Sequence, residues 1–231
     1  MENGDVFAKR FQLEMLMGSG GGGEVWKAYD NIAKVYCAIK IHLKNNSEQS
    51  AQEIVDEYTR VMHIHHDNLL TPSFVGIAED NVPYLVMELC EGDLSNRDLT
   101  ENEIWHLVHD VAAGLKRLNA NKRKKKKNDS SIIEVPDPII HQDIKPANIL
   151  LRSNGMYAIT DFGISRHRQS TLSQDYESTR DYKVDKRMTV DYAAPERFTT
   201  GSVPASDIWS LGAMLYELVE GRRPFAEGGN R

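Results

Sequence analysis

Five glycines occupy six consecutive positions in "MLMGSGGGGEVWKAYD", Gly18 and Gly20 to Gly23, with an apolar strand-like stretch on either side. Glycine has no Cβ and reaches backbone conformations closed to other residues. The pattern therefore predicts two strands joined by a turn whose backbone N–H groups can lie close to a phosphate. The spacing Gly18-x-Gly20-x-x-Gly23-x-Val25 is also that of a dinucleotide-binding fingerprint. Context separates the two readings: a dinucleotide loop opens into a helix, whereas here "EVWKAYD" continues as a strand.

The rest of the chain can be placed around that turn. "VYCAIKI" alternates, with Val35, Cys37, Ile39 and Ile41 on one face and Tyr36, Ala38 and Lys40 on the other. Ser50-x-x-Glu53 is a capping box, and the helix it opens carries Ile54, Glu57, Tyr58 and Val61 on one stripe. Glu57 is thus a carboxylate within an apolar stripe, and burial demands a partner for it. "VPYLVMEL" reads as a buried strand. A second capping box, Thr100-x-x-Glu103, precedes a stripe of Ile104, Leu107, Val108, Val111, Leu115 and Leu118. "DIWSLGAMLYELV" is apolar nearly all round, which predicts a helix buried in the middle of a domain. Strands first and helices later give an α+β arrangement in two lobes.

At 231 residues and 40% hydrophobic the chain can bury a real core, and a net charge of -6 selects no partner. Two cysteines, Cys37 and Cys90, form no disulfide framework and suit a reducing, cytoplasmic location. The N-terminal "MENGDVFAKR" lacks the apolar region of a signal peptide, and no apolar run approaches membrane-spanning length. The stretch from Asn119 to Pro138 holds six consecutive basic residues, Lys122 to Lys127. It reads as a localisation signal or nucleic-acid patch, or as a solvated loop insertion, and the solvated loop is preferred. His63, His65 and His66 suit the negative end of a helix better than a metal site, and His106 and His109 lie off the apolar stripe.

Chemistry concentrates in "IIHQDIKPANILL", where Asp143, Lys145 and Asn148 follow His141. Taken in order, the glycine loop, "AIK" ending at Lys40, the helix Glu57, "HQDIKPAN", "DFG" at Asp161–Gly163, "APE" at Ala194–Glu196 and "SDIWSLG" from Ser206 resemble a Hanks-type (eukaryotic-type) serine/threonine protein kinase catalytic domain, from about Phe11 to Phe225. The wording of "AITDFGIS" and "GSGGGGEVWKA" is similar to bacterial members at least as much as to animal ones. The resemblance implies a bilobal protein-kinase-like α+β fold. Its β-rich N-lobe would span about 11–88 and its hinge about 88–93. Its mainly helical C-lobe would span about 94–231, lacking the last helices, with 119–138 as a basic loop insertion.

Residue by residue, the resemblance implies the following roles. Lys40 binds the α- and β-phosphates of ATP and pairs with Glu57. Asp143 accepts or orients the proton of the substrate hydroxyl, Lys145 assists at the phosphates, and Asn148 and Asp161 hold Mg²⁺. Gly18, Gly20 and Gly23 cover the phosphates. Val25 and Ala38 lie above the adenine and Leu150 below it, Met87 is the gatekeeper, and Glu88 to Cys90 form the hinge whose backbone bonds the purine. Lys145 and Thr189 imply a protein substrate with serine or threonine rather than tyrosine, with no nucleic acid and no membrane segment expected.

Three departures from the family pattern stand out. Gln142 replaces the arginine that docks an activation-loop phosphate, and a neutral amide is a poor substitute. Activity is therefore expected to depend little on such a phosphate. The segment from Asp161 to Glu196 is long and polar, with Ser165, Ser170, Thr171, Ser173, Tyr176, Ser178 and Thr179 as hydroxyl candidates for phosphorylation. The sequence ends at "GRRPFAEGGNR", before the helix expected to bring an arginine to Glu196. The leading expectation is a serine/threonine kinase. The alternative is a kinase-like nucleotide- or partner-binding module inactive because its C-lobe is cut short; a small-molecule kinase is disfavoured by Lys145-Pro146, Thr189 and "APE".

Overall fold

The structure, a computed structural model, describes residues 1–20, 23–43, 50–126, 131–161 and 190–225. The chain divides into two compact units, Met1–His65 with Leu70–Glu91, and His66–Leu69 with Gly92–Arg231. No helix among the described residues is long and apolar enough to cross a membrane. Gly21, Gly22, Phe162, Gly163, Thr189 and the hydroxyl candidates from Ser165 to Thr179 lie outside the described residues.

The first unit is an antiparallel sheet of β1 (Val6–Phe7), β2 (Phe11–Gly20), β3 (Gly23–Asp30), β4 (Val35–Ile41), β5 (Phe74–Ala78) and β6 (Val82–Met87), in the order β1-β2-β3-β4-β6-β5. The period-2 alternation read in β4 is realised. Cys37, Ile39 and Ile41 join Phe11, Leu13, Trp26, Ala28, Tyr84 and Val86 in one core cluster. Val35 at the start of that row is exposed. The opposite face is set by register. Val25 stands across from Lys40, and Lys40 across from Leu85, while Ala38 stands between Lys27 and Met87. The helix α1 (Ala51–Val61) buries the stripe Ile54, Glu57, Tyr58 and Val61, and its capping box forms between Ser50 and Glu53.

Two local devices hold this sheet. Arg10 grips Asp30 through Nε and Nη2 at 2.9 and 2.6 Å, and Asp30 also accepts from the amides of Ile32 and Ala33. The guanidinium holds the Asp30 carboxyl far below the usual carboxylate range. Gly23 pairs with Gly20 across the β2–β3 turn at a φ of +113°. A Cβ there would overlap the carbonyl oxygen of Ile41, so both conformation and space require glycine.

The second unit is built on α2 (Glu101–Asn119) and α3 (Pro204–Glu220). Beside them lies a three-stranded sheet, ordered β11-β10-β7, of β7 (Gly92–Asp93), β10 (Ile149–Leu151) and β11 (Tyr157–Ile159). The capping box at Thr100 and Glu103 forms as read. Leu107, Val111, Leu115 and Leu118 are buried, with Ile104 and Val108 half-buried. At Gly114 the helix presses on its own unit, where a Cβ would stand 2.8 Å from the Asn68 carbonyl oxygen.

Two expectations are corrected. The basic stretch is not simply a loop, because β8 (Lys122–Lys126) and β9 (Ile132–Pro136) pair as an antiparallel hairpin. The helix α3 is not buried all round. It buries Ser206, Asp207, Ser210, Leu211, Ala213 and Met214, while Ile208, Trp209, Tyr216 and Val219 on its other face are exposed. A helical stripe needs only one apolar face to pack, and all-round apolarity does not say which side meets a neighbour.

Candidate active site

The residues from Ile139 to Lys145 pass through the second unit outside any helix or strand, so side chains must satisfy their backbone groups. His141 is fully buried. Its Nε2 lies 2.8 Å from the Thr160 carbonyl oxygen, and its Nδ1 accepts from the Asp143 amide at 3.2 Å. Those partners assign the neutral tautomer with the proton on Nε2. The ring thereby fixes the backbone of Asp143 against the residue preceding Asp161.

Around Asp143 the predicted residues converge. Lys145 Nζ stands 2.7 Å from Asp143 Oδ2. The Asn148 amide nitrogen donates to the Asp143 carbonyl at 2.7 Å and to Oδ2 at 3.0 Å. The Asn148 carbonyl accepts from Thr160 at 3.0 Å. Asn148 therefore has its amide oxygen to offer, next to an aspartate loop. Asp161 follows Thr160 directly, at a φ of +62°. A backbone in that region is uncommon for a residue other than glycine and clusters at functional sites. Leu150 lies half-buried on β10, across from Ala158 and Asp93.

Sequence reasoning missed what holds this loop from behind. Asp207, on α3 and only 1% exposed, accepts from the amides of His141 at 2.7 Å and Gln142 at 2.8 Å. Burial pushes its pKa up, opposed by those two amides and by Arg197. Gln142 sits between these bonds at a φ of +68°. Arg197 donates to the Gln142 carbonyl. The signal was available in the sequence: Asp207 stands in an apolar helix, as Glu57 does, and a buried carboxylate implies donors aimed at it. Glu196, expected to lack its arginine, accepts instead from the Ser206 hydroxyl at 2.6 Å, beside the first turn of α3.

The first unit assembles the other predicted residues. Lys40 and Glu57 are both buried, at 7% and 3% exposure. Val25, Ala38, Lys40 and Met87 share one face of the sheet by register, opposite the core cluster. That face also meets α1, since His42 continues its parity and lies 5.8 Å from the ring of Tyr58. Gly18 stands across from Val25 in β2, and a Cβ on Gly18 or Gly20 would meet nothing within 4 Å. Cys90 is buried, Glu88 exposed, and the Cys90 thiol lies 4.0 Å from the Glu88 carbonyl oxygen.

With this geometry in place the comparisons with known proteins are decisive. The family model described as protein kinase domain matches residues 11–231. The chain belongs to the protein kinase family. Relatives include Sporulation-specific protein 1 of Saccharomyces cerevisiae, 30% identical over 231 residues, covering 95% of this chain and 42% of that protein. Serine/threonine-protein kinase tousled-like 2 of Xenopus tropicalis is 32% identical over 238 residues, covering 94% of this chain and 32% of that protein. Serine/threonine-protein kinase TOUSLED of Arabidopsis thaliana is 30% identical over 237 residues, covering 95% and 32%. The kinase domain thus spans less than half the length of each relative named here. Its α+β architecture, with an antiparallel sheet in one unit and helices in the other, is that of the family.

Proposed function

We propose that the chain is an ATP-dependent serine/threonine protein kinase. The observation that carries the reading is the convergence of Lys145 and Asn148 on the carboxylate of Asp143, at 2.7 and 3.0 Å. In the proposed reaction the hydroxyl oxygen of a substrate serine or threonine forms a bond to the γ-phosphorus. The bond from that phosphorus to the β–γ bridging oxygen breaks, and the bridging oxygen leaves on ADP. Asp143 orients the hydroxyl and takes up its proton as that bond forms. Lys145 neutralises charge on the transferring phosphoryl group, and Lys40, paired with Glu57, grips the α- and β-phosphates.

Val25, Ala38 and Leu150 bound the adenine, with Met87 behind it and the backbone of Glu88 to Cys90 on its polar edge. Gly18, Gly20 and Gly23 give the phosphates access to backbone N–H groups. Asn148, through its amide oxygen, and Asp161 are the metal ligands in this reading. Hard oxygen donors suit Mg²⁺. Among the described residues no group of three His, Cys, Asp or Glu side chains could hold a metal alone, so the remaining ligands would come from nucleotide and water. When bound, Mg²⁺ supplies charge neutralisation at the phosphates. The two buried free cysteines suit the cytoplasm.

The test is transfer of labelled γ-phosphate from ATP to a serine- or threonine-containing protein. Asp143→Asn keeps the shape of the loop and removes the base, and is expected to lower transfer by about 10²–10⁴-fold while ATP still binds. Equal transfer by the two proteins, or nucleotide binding without transfer by the unaltered chain, rejects the reading.

A further inference from the structure

The hairpin of β8 and β9 is unlike the rest of this kinase domain. In a chain of net charge -6, β8 reads Lys-Arg-Lys-Lys-Lys, all five residues exposed. Register places Lys122, Lys124 and Lys126 on one face with Pro136, Glu134 and Ile132, and Arg123 and Lys125 on the other with Val135 and Ile133. Charge compensation is slight. Lys122 stands 3.6 Å from Glu134, and among the described residues Arg123, Lys124, Lys125 and Lys126 form no ion pair. Like charges at alternate positions of one strand repel, and a two-stranded sheet is marginal in water by itself. The base is nevertheless anchored. Asn121, 5% exposed, donates to the Asp137 carbonyl and accepts from the Asp137 amide, and Ile139 donates to the Leu118 carbonyl.

The two outer edges of the hairpin differ. The edge of β9 includes Pro136, which has no N–H, and carries Glu134. Along the outer edge of β8 alternate residues present both an N–H and a C=O, and no described strand pairs with it. Lysine on an edge strand prevents that edge from pairing with a second copy of itself. It does not prevent pairing with a strand of opposite charge, where carboxylates at alternate positions would line up with the row of Lys122, Lys124 and Lys126.

We propose that the outer edge of β8 is a docking strand for an extended acidic segment of a partner protein, which adds to the hairpin as a third strand. Main-chain hydrogen bonds would hold the segment, and the lysines would select for Asp and Glu. Nucleic acid fits less well. The cations divide between two faces, and neither β8 nor β9 carries an aromatic side chain on which a base could stack.

The test uses the whole chain and a fluorescent peptide of alternating Glu and Thr, read by anisotropy. Binding is expected, and it should weaken by roughly tenfold as salt rises from low to physiological, because exposed charges are screened. A peptide N-methylated at alternate residues along one edge cannot make the ladder, and should lose binding by about tenfold or more to the unaltered chain. The variant Lys122→Thr with Lys124→Thr and Lys126→Thr keeps good strand formers, and should lose binding to a similar degree. The inference is overturned if the N-methylated peptide binds as well as its parent. It is also overturned if the peptide does not bind, or if a single-stranded oligonucleotide or anionic vesicles bind more tightly and the peptide does not displace them. None of these readouts involves Asp143 or phosphate transfer, so the catalytic reading stands or falls separately.

Discussion

Replacing Asp207 tests whether one buried carboxylate positions the catalytic loop. The carboxylate is 1% exposed and accepts the amides of His141 and Gln142 at 2.7 and 2.8 Å. Asp207→Ala leaves both amides without their acceptor, at about 1–3 kcal/mol each when buried. It also withdraws support from Gln142, whose φ of +68° costs roughly 1 kcal/mol for an ordinary residue. The two amides together set the loss at about 2–6 kcal/mol. For a chain of this size each kcal/mol moves the melting temperature by about 2–4 °C, so a fall of roughly 4–24 °C is expected. Asp207→Asn keeps one acceptor and turns an amino group toward the other amide, and should fall about halfway. Gln142 adjoins Asp143, so release of its backbone should also misplace the proposed base. Phosphate transfer would then drop about 10²-fold in kcat with the KM for ATP nearly unchanged, since Lys40 and the β3–β4 face lie in the other unit. Thermal melting and steady-state transfer on both variants read these two effects. A melting temperature within about 1 °C of the parent, or a loss confined to KM, would refute the reasoning.

Two further outcomes follow from the first unit. Gly23→Ala should destabilise it by roughly 3 kcal/mol or more, because the new Cβ meets the Ile41 carbonyl at a backbone conformation closed to alanine; urea unfolding reads this, and an unchanged midpoint would contradict it. Asp30 titrates in the folded chain well below the usual carboxylate range because of Arg10, so its ionised form favours folding. Its contribution should be complete above pH of about 4, the unfolded value, and decline as pH falls toward the folded one. Asp30→Asn should therefore flatten the acid limb of urea-midpoint measurements, and an unchanged acid limb would argue against the Arg10 pair as its source.

Much of this kinase domain was legible in the sequence because the relevant physics is local. The capping boxes at Ser50 and Thr100 bond residues three apart, so a short window contains both donor and acceptor. The alternation of β4 and the stripe of α1 set their buried faces by period alone. The spacing of Asp143, Lys145 and Asn148 lets one turn bring them together. Lys40 and Glu57 were recognisable as oddities, since charges on apolar faces are expensive unless partnered.

Other features required the folded chain, because their partners are distant in sequence and no period encodes them. Asp207 caps amides sixty-six and sixty-five residues away, and Arg197 reaches Gln142 across fifty-five. Ser206 answers Glu196 where only an arginine had been sought. The lysines of residues 122–126 looked too charged for anything but a loop, yet pairing with Ile132–Pro136 supplies the ladder that their own propensities do not. The apolar helix α3 concealed which of its faces packs, a choice made by its neighbours. By itself the sequence determined the local elements outside residues 122–136 and named the groups proposed to react. The tertiary structure decided how the catalytic loop is held, because buried polar atoms are satisfied by whatever the fold brings within reach.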